Sequence, residues 1–63
     1  MEKIAVQVNG KLRGEVTVPP DANQEMVVGA VMLDARLREH IEKSQLMRVI
    51  YVPHRLINFV LKP

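Results

Sequence analysis

The sequence predicts a small α+β domain: an antiparallel sheet made of two β-hairpins, with two short helices between them, in the order ββααββ. Three observations predict it. Apolar and polar residues alternate on both sides of an Asn-Gly pair near the start of the chain. Apolar residues recur at helical spacing through the middle, after a Pro-Pro break. Two further apolar runs, 46–52 and 56–62, are separated by a turn containing proline.

In the first hairpin, Ile4, Val6 and Val8 alternate with Ala5, Gln7 and Asn9, the period of a half-buried strand. Asn9-Gly10 is the strongest short-range hairpin signal. Leu12, Gly14, Val16 and Val18 alternate with Arg13, Glu15 and Thr17 as a second strand. The two strands conflict in register. A two-residue loop pairs Val8 with Lys11, whereas a three-residue loop pairs Val8 with Leu12 and puts every apolar residue on one face. The expectation is either the longer loop or a bulge near Gly14.

Pro19-Pro20 ends the strand, since proline cannot donate to a sheet ladder. Asp21 or Asn23 then caps a helix. Met26, Val27, Ala30 and Val31 supply its apolar stripe, and Gly29 weakens its middle. Asp34 reads as the cap of a second helix of about two turns, with Leu37 and Ile41 inward and Arg38 and Glu42 outward. Lys43-Ser44-Gln45 is the exit loop. Strands follow at 46–52 and 56–62, joined by Val52-Pro53-His54-Arg55 with proline at the second turn position. The last strand is apolar on both faces. Its second face either docks on something outside the chain or is covered by a loop or the first hairpin, and covering is the simpler expectation.

Length and composition exclude several classes. The chain of 63 residues makes one domain, 1–63, burying roughly 60% of its unfolded surface and leaving little room for a deep catalytic cleft. With 48% apolar and 25% charged residues it has the composition of a folded domain and not of a disordered one. There is no cysteine, hence no disulfide or thiolate chemistry, as suits a cytoplasmic protein. No apolar run reaches the roughly 20 residues of a membrane helix. The formal net charge of +2 is small, but its distribution is uneven: residues 1–20 carry +1, residues 21–43 carry −2 and residues 44–63, without an acid, carry +3. Basic ends flank an acidic middle. Taken alone, that is a solvated surface more readily than a phosphate-binding one.

Catalytic and metal chemistry find no footing. His40 and His54 are the only histidines, with no spacing that gathers three or four ligands. No glycine-rich phosphate loop follows a strand, and no serine has a credible base partner. Glu39 and Glu42 read as solvated helix residues. Tyr51 and Phe59, the only aromatics, are expected to pack in the core more than to stack on bases. Asn58, interrupting an apolar strand, is expected to be a structural hydrogen-bonder.

Two blocks carry a family resemblance. Val6-Gln7-Val8-Asn9-Gly10-Lys11-Leu12-Arg13-Gly14 and Val49-Ile50-Tyr51-Val52-Pro53-His54-Arg55-Leu56-Ile57-Asn58 resemble the VQVNGKLRG and VIYVPGKLVN patterns at the C-terminus of bacterial leucyl-tRNA synthetases. Pro20-Asp21-Ala22 is also similar, and the resemblance covers essentially the whole chain. It implies a C-terminal appendage domain of a class I leucine–tRNA ligase. Such a domain is tethered to the rest of the synthetase and contacts the elbow of leucine tRNA to support leucylation and editing. It would itself be monomeric and non-catalytic, without cofactors, while the parent enzyme uses ATP and Mg2+. The family usually has glycine where this chain has His54. That leaves open whether a turn with positive φ is kept there, or one with negative φ replaces it.

On this resemblance the expected tRNA-binding residues are Lys11, Arg13, Arg48, His54 and Arg55. Lys11 and Arg13 lie at the first hairpin tip, and the others in the acid-free C-terminal stretch. Lysine and arginine suit phosphate contact, and arginine can also stack on an exposed base. The competing reading is a protein–protein interaction module docking through the apolar final hairpin.

Overall fold

The computed structural model describes every residue, Met1–Pro63. Strands β1 (Glu2–Val8), β2 (Lys11–Val18), β3 (Leu46–Val52) and β4 (Leu56–Leu61) form one sheet in the order β2-β1-β4-β3. Helices α1 (Gln24–Met32) and α2 (Ala35–Glu42) lie between the two hairpins in sequence and pack on one face of the sheet. The class and element order are those the periodicities predict. Both hairpins are antiparallel, but the central pair, β1 with β4, is parallel, so the sheet is mixed. The reason is topological: the helical segment crosses the sheet's length once, so β3 sets out in the direction of β2 and β4 in that of β1.

The first hairpin resolves its register conflict with a bulge. Asn9 and Gly10 have φ of 52° and 80°, the two positive values of a type I′ turn, and Val8 pairs with Lys11 across a two-residue loop. Val6 faces Gly14 but Gln7 faces Leu12, which leaves Arg13 as the extra residue. Gly14, Val16 and Val18 therefore share the helix side with Ile4, Val6 and Val8. Leu12 turns to the other side and is 68% exposed. Gly14 is itself not in a positive-φ conformation. Its role is room: a Cβ there would lie 3.0 Å from Cδ2 of Leu37.

The core is wholly apolar. Ile4, Val6, Val8, Val16 and Val18 meet Ile57, Phe59 and Leu61 beneath Val27 and Val31 of α1 and Leu37 and Ile41 of α2. In α1 the inward stripe is narrower than the sequence suggests, since Met26 faces outward, half exposed. Of the two possible caps for α1, Asn23 is the one used: its Oδ1 accepts from Met26 N at 2.9 Å. Asp34 caps α2, accepting from Arg36 N and Leu37 N. Both aromatics pack, Phe59 fully buried and Tyr51 half-buried with its hydroxyl donating to Ala22 O.

The second face of β4 is uncovered. Leu56, Asn58 and Val60 are half-buried by their strand neighbours alone, beside Ile50 and Val52 of β3, each 38% exposed. The first hairpin does not wrap over them because it lies in the sheet, as β4's neighbour.

Replacing Gly14 with valine should lower stability by about 1–3 kcal/mol, the usual cost of overpacking, because buried Leu37 has little room to retreat. Urea denaturation checks this, and an unchanged midpoint would mean that Leu37 repacks freely.

Candidate nucleic-acid interface

The two hairpin turns carry most of the expected contact residues, and the topology puts them at opposite ends of the sheet. The Asn9-Gly10 turn sits at the end where β4 finishes, with Asn9 N donating to Phe59 O at 2.9 Å. The Pro53-His54 turn sits where β4 begins, with Ala5 N donating to Arg55 O at 3.1 Å. The six residues of β4 separate them, roughly 17 Å at about 3.3 Å per residue. Lys11 and Arg13 thus lie at one end, and His54 and Arg55 at the other. Arg48 lies apart from both pairs, exposed on the uncovered face of edge strand β3 and paired with Val60.

What the first end does gather is a set of cations from distant parts of the chain. An open concavity of about 310 Å³ is lined by Lys11 and Arg13 of β2, His40 and Lys43 at the end of α2, and Lys62 beyond β4, together with Asn9 and Ser44. No aspartate or glutamate lines it. None of Lys11, Arg13, Lys43 and Lys62 has an ion-pair partner. The lysine and arginine that do form pairs, Lys3 with Glu15 and Arg38 with Glu42, are on other surfaces and well exposed, where such contacts contribute little. The bulge is why both Lys11 and Arg13 reach this concavity. Lys11 lies opposite inward-facing Val8, and the extra residue keeps Arg13 on the same side while Gly14 still faces the core.

Hydrogen bonds hold the walls in place. Leu61 N donates to Asn9 Oδ1 at 2.8 Å, and Gly10 N donates to Asn58 Oδ1 at 3.1 Å. Asn58 is thereby the structural hydrogen-bonder its position suggests. Lys62 N donates to Gln45 O at 2.8 Å, and Ser44 Oγ donates to Lys62 O at 2.6 Å. The first turn, the loop after α2 and the end of β4 form one braced unit.

His40, Lys43 and Lys62 are not found by reading the sequence. Lys43 stands in an exit loop and Lys62 is the last residue of a strand pattern. The one local signal is the spacing of His40 and Lys43, three apart near the end of a helix and so on adjoining positions of its surface.

The far turn answers the question His54 poses. Its φ is 68°, and Arg55 N donates to Val52 O at 3.1 Å, so the backbone is the one glycine would adopt at the third position of a type II turn. Its Nδ1 lies 2.7 Å from Oε2 of Glu2, which ties the turn to the start of β1. The contact uses Nδ1 alone, and the side chain is otherwise 62% exposed.

No protein-family model matches the chain. It is 45% identical over 60 residues to a leucine–tRNA ligase of Corynebacterium glutamicum (strain R), an alignment covering 95% of this chain and 6% of that protein. It is 46% identical over 57 residues to a leucine–tRNA ligase of Geotalea daltonii, covering 90% and 7% respectively. The chain therefore spans less than a tenth of the length of these relatives. Among solved structures it matches the ternary complex of the Agrobacterium radiobacter K84 agnB2 LeuRS with tRNA and LeuAMS. There the TM-score is 0.88 at 31% identity, over 98% of this chain and 8% of that one.

At His54 the backbone and the contact with Glu2 make opposite demands, and variants separate them. His54→Val keeps neither the contact nor a tolerable left-handed conformation and should cost about 1–2 kcal/mol. His54→Gly loses the exposed contact but relieves the backbone and should be at least as stable as the unsubstituted chain. Thermal unfolding of both checks this; a glycine variant as unstable as the valine one would show that the Glu2 contact outweighs the strain.

Proposed function

The chain is homologous to a short segment of leucine–tRNA ligases, and on that premise we propose that it is the tRNA-contacting C-terminal domain of such an enzyme. It holds the tRNA at its elbow while leucylation and editing proceed in other parts of a much longer parent. The observation that carries this reading is the likeness, over nearly the whole chain, to part of a LeuRS solved together with tRNA. The unneutralised cations at the Asn9-Gly10 end supply the matching electrostatics. Backbone phosphates are attracted by lysine and arginine whatever the base sequence, which suits a contact that positions an RNA.

In this reading the domain is not a catalyst, and works in the cytoplasm as a monomeric module tethered to the synthetase. ATP and Mg2+ serve the parent's reaction. Lys11 and Arg13 make the principal contact. Arg48 and Arg55 meet RNA only where it extends along the uncovered sheet face or to the far end, and His54 contributes by shaping the turn that displays Arg55.

A second reading rests on the uncovered face of β4 and β3, where Leu56, Val60, Ile50 and Val52 adjoin. There the final hairpin docks on another protein surface. Self-association in sedimentation, insensitive to salt, would favour it.

Titration of the isotope-labelled chain with folded tRNA tests the principal reading. Amide shifts should cluster around Lys11 and Arg13, and binding should weaken steeply between 50 and 200 mM salt, with a log–log slope of roughly −0.7 to −0.9 per phosphate contacted. Leucine tRNA and other tRNAs should bind within a few-fold of one another, because the elbow is common to them. Absence of shifts with excess tRNA at low salt would overturn the proposal.

A further inference from the structure

We propose that the concavity at the Asn9-Gly10 end is a binding site for the phosphodiester backbone of RNA, in which Lys43 and Lys62 act together with Lys11 and Arg13. The proposal rests on the tRNA-contact reading and extends it to a defined site with residues from three elements.

The first support is charge. Four of the nine lysines and arginines line this one concavity, with no acidic side chain among its lining residues and no ion pair to any of the four. Gathering like charges is unfavourable unless an anion joins them. The α2 C-terminus contributes partial negative charge nearby, but a helix end amounts to roughly half an elementary charge. That is too little to offset four cations. His40, half-buried in the same lining, adds a further ring able to donate to phosphate oxygen.

The second support is preorganisation. The cations stand on a frame fixed by the Asn9–Leu61, Gly10–Asn58, Lys62–Gln45 and Ser44–Lys62 hydrogen bonds. Only side chains need settle when an anion arrives, which reduces the ordering cost of binding.

The third support is shape and chemistry. The concavity is open, and its lining holds no phenylalanine, tyrosine or tryptophan. It can seat a phosphate of a passing strand, and its four lysine and arginine charges outnumber the two side chains, His40 and Arg13, that could also stack on a base. Charge therefore favours the backbone as the ligand class, read without regard to sequence.

The test compares the parent chain with Lys43→Gln/Lys62→Gln and with Lys3→Gln/Arg38→Gln, which removes the same charge outside the concavity. Preserved amide spectra establish that each variant is folded. With folded tRNA, the Lys43/Lys62 variant should bind about tenfold more weakly at 50 mM salt and flatten the salt slope by about 1.4–1.8, the loss of two phosphate contacts. The control variant should bind within about twofold of the parent chain. If both variants bind alike, the concavity is not the site and the proposal falls, while the tRNA reading stands. If no version binds tRNA, that reading falls, and titration with inorganic phosphate decides the site. Shifts at Asn9, Lys43, Ser44 and Lys62 that vanish in the Lys43/Lys62 variant would uphold it, and their absence would overturn it.

Discussion

The first hairpin must satisfy two demands that differ by one residue. Its Asn9-Gly10 turn favours a two-residue loop, which pairs Val8 with Lys11. Its apolar residues require Gly14, Val16 and Val18 on the side of Ile4, Val6 and Val8. Strict alternation from Lys11 would turn Val16 and Val18 to the wrong face. One extra residue, Arg13, reconciles the two. Several other features follow from that bulge: Gly14 lies under Leu37, Leu12 is expelled to the uncovered face, and two cations stand side by side at the hairpin tip.

A bulged hairpin at a sheet edge has little reason to hold one orientation, and here β4 supplies it. The parallel β1–β4 pairing brings the end of β4 alongside the first turn. Asn58 then accepts from Gly10, and Asn9 accepts from Leu61. Each asparagine satisfies a backbone donor on the other's segment, a reciprocal clasp between positions nearly fifty residues apart. The asparagine at position 9 thus has two functions, a left-handed backbone and a side-chain acceptor. The same parallel pairing sends the second turn to the far end, so a single topological fact both braces one group of cations and separates it from Arg55.

Local features of the fold were legible in the sequence because local rules determine them. Strand alternation, the Pro-Pro break, the Asp34 cap and the stripe of Leu37 and Ile41 each depend on residues within a turn or two. The register conflict was visible too, and reduced the hairpin to two solutions, although energies that separate a longer loop from a bulge are not written in its nine residues. The parallel sense of the central pair was not legible, since it depends on how far the helical segment travels. The cationic site was half legible: Lys11 and Arg13 stand at an evident tip, whereas Lys43 and Lys62 join them only through the return of α2 and β4.

The uncovered sheet face and the cationic concavity point in different directions, and that separation bears on how such a domain works. The apolar patch of β3 and β4 suits a lasting contact, because burial of apolar area is not weakened by salt as a phosphate contact is. An unneutralised cationic hollow suits a reversible one, because phosphate contacts weaken as ions compete. On the proposed tRNA-contact reading the hollow supplies the second kind at the RNA, and a protein docked on the sheet face, as in the second reading, would not compete with it for the same side chains. Arg48, standing at the edge of the apolar face, belongs by position to that neighbouring surface, while Lys11, Arg13, Lys43 and Lys62 belong to the hollow. The bulge at Arg13 makes this division possible: it keeps both hairpin-tip cations on the helix side and leaves Leu12 on the other.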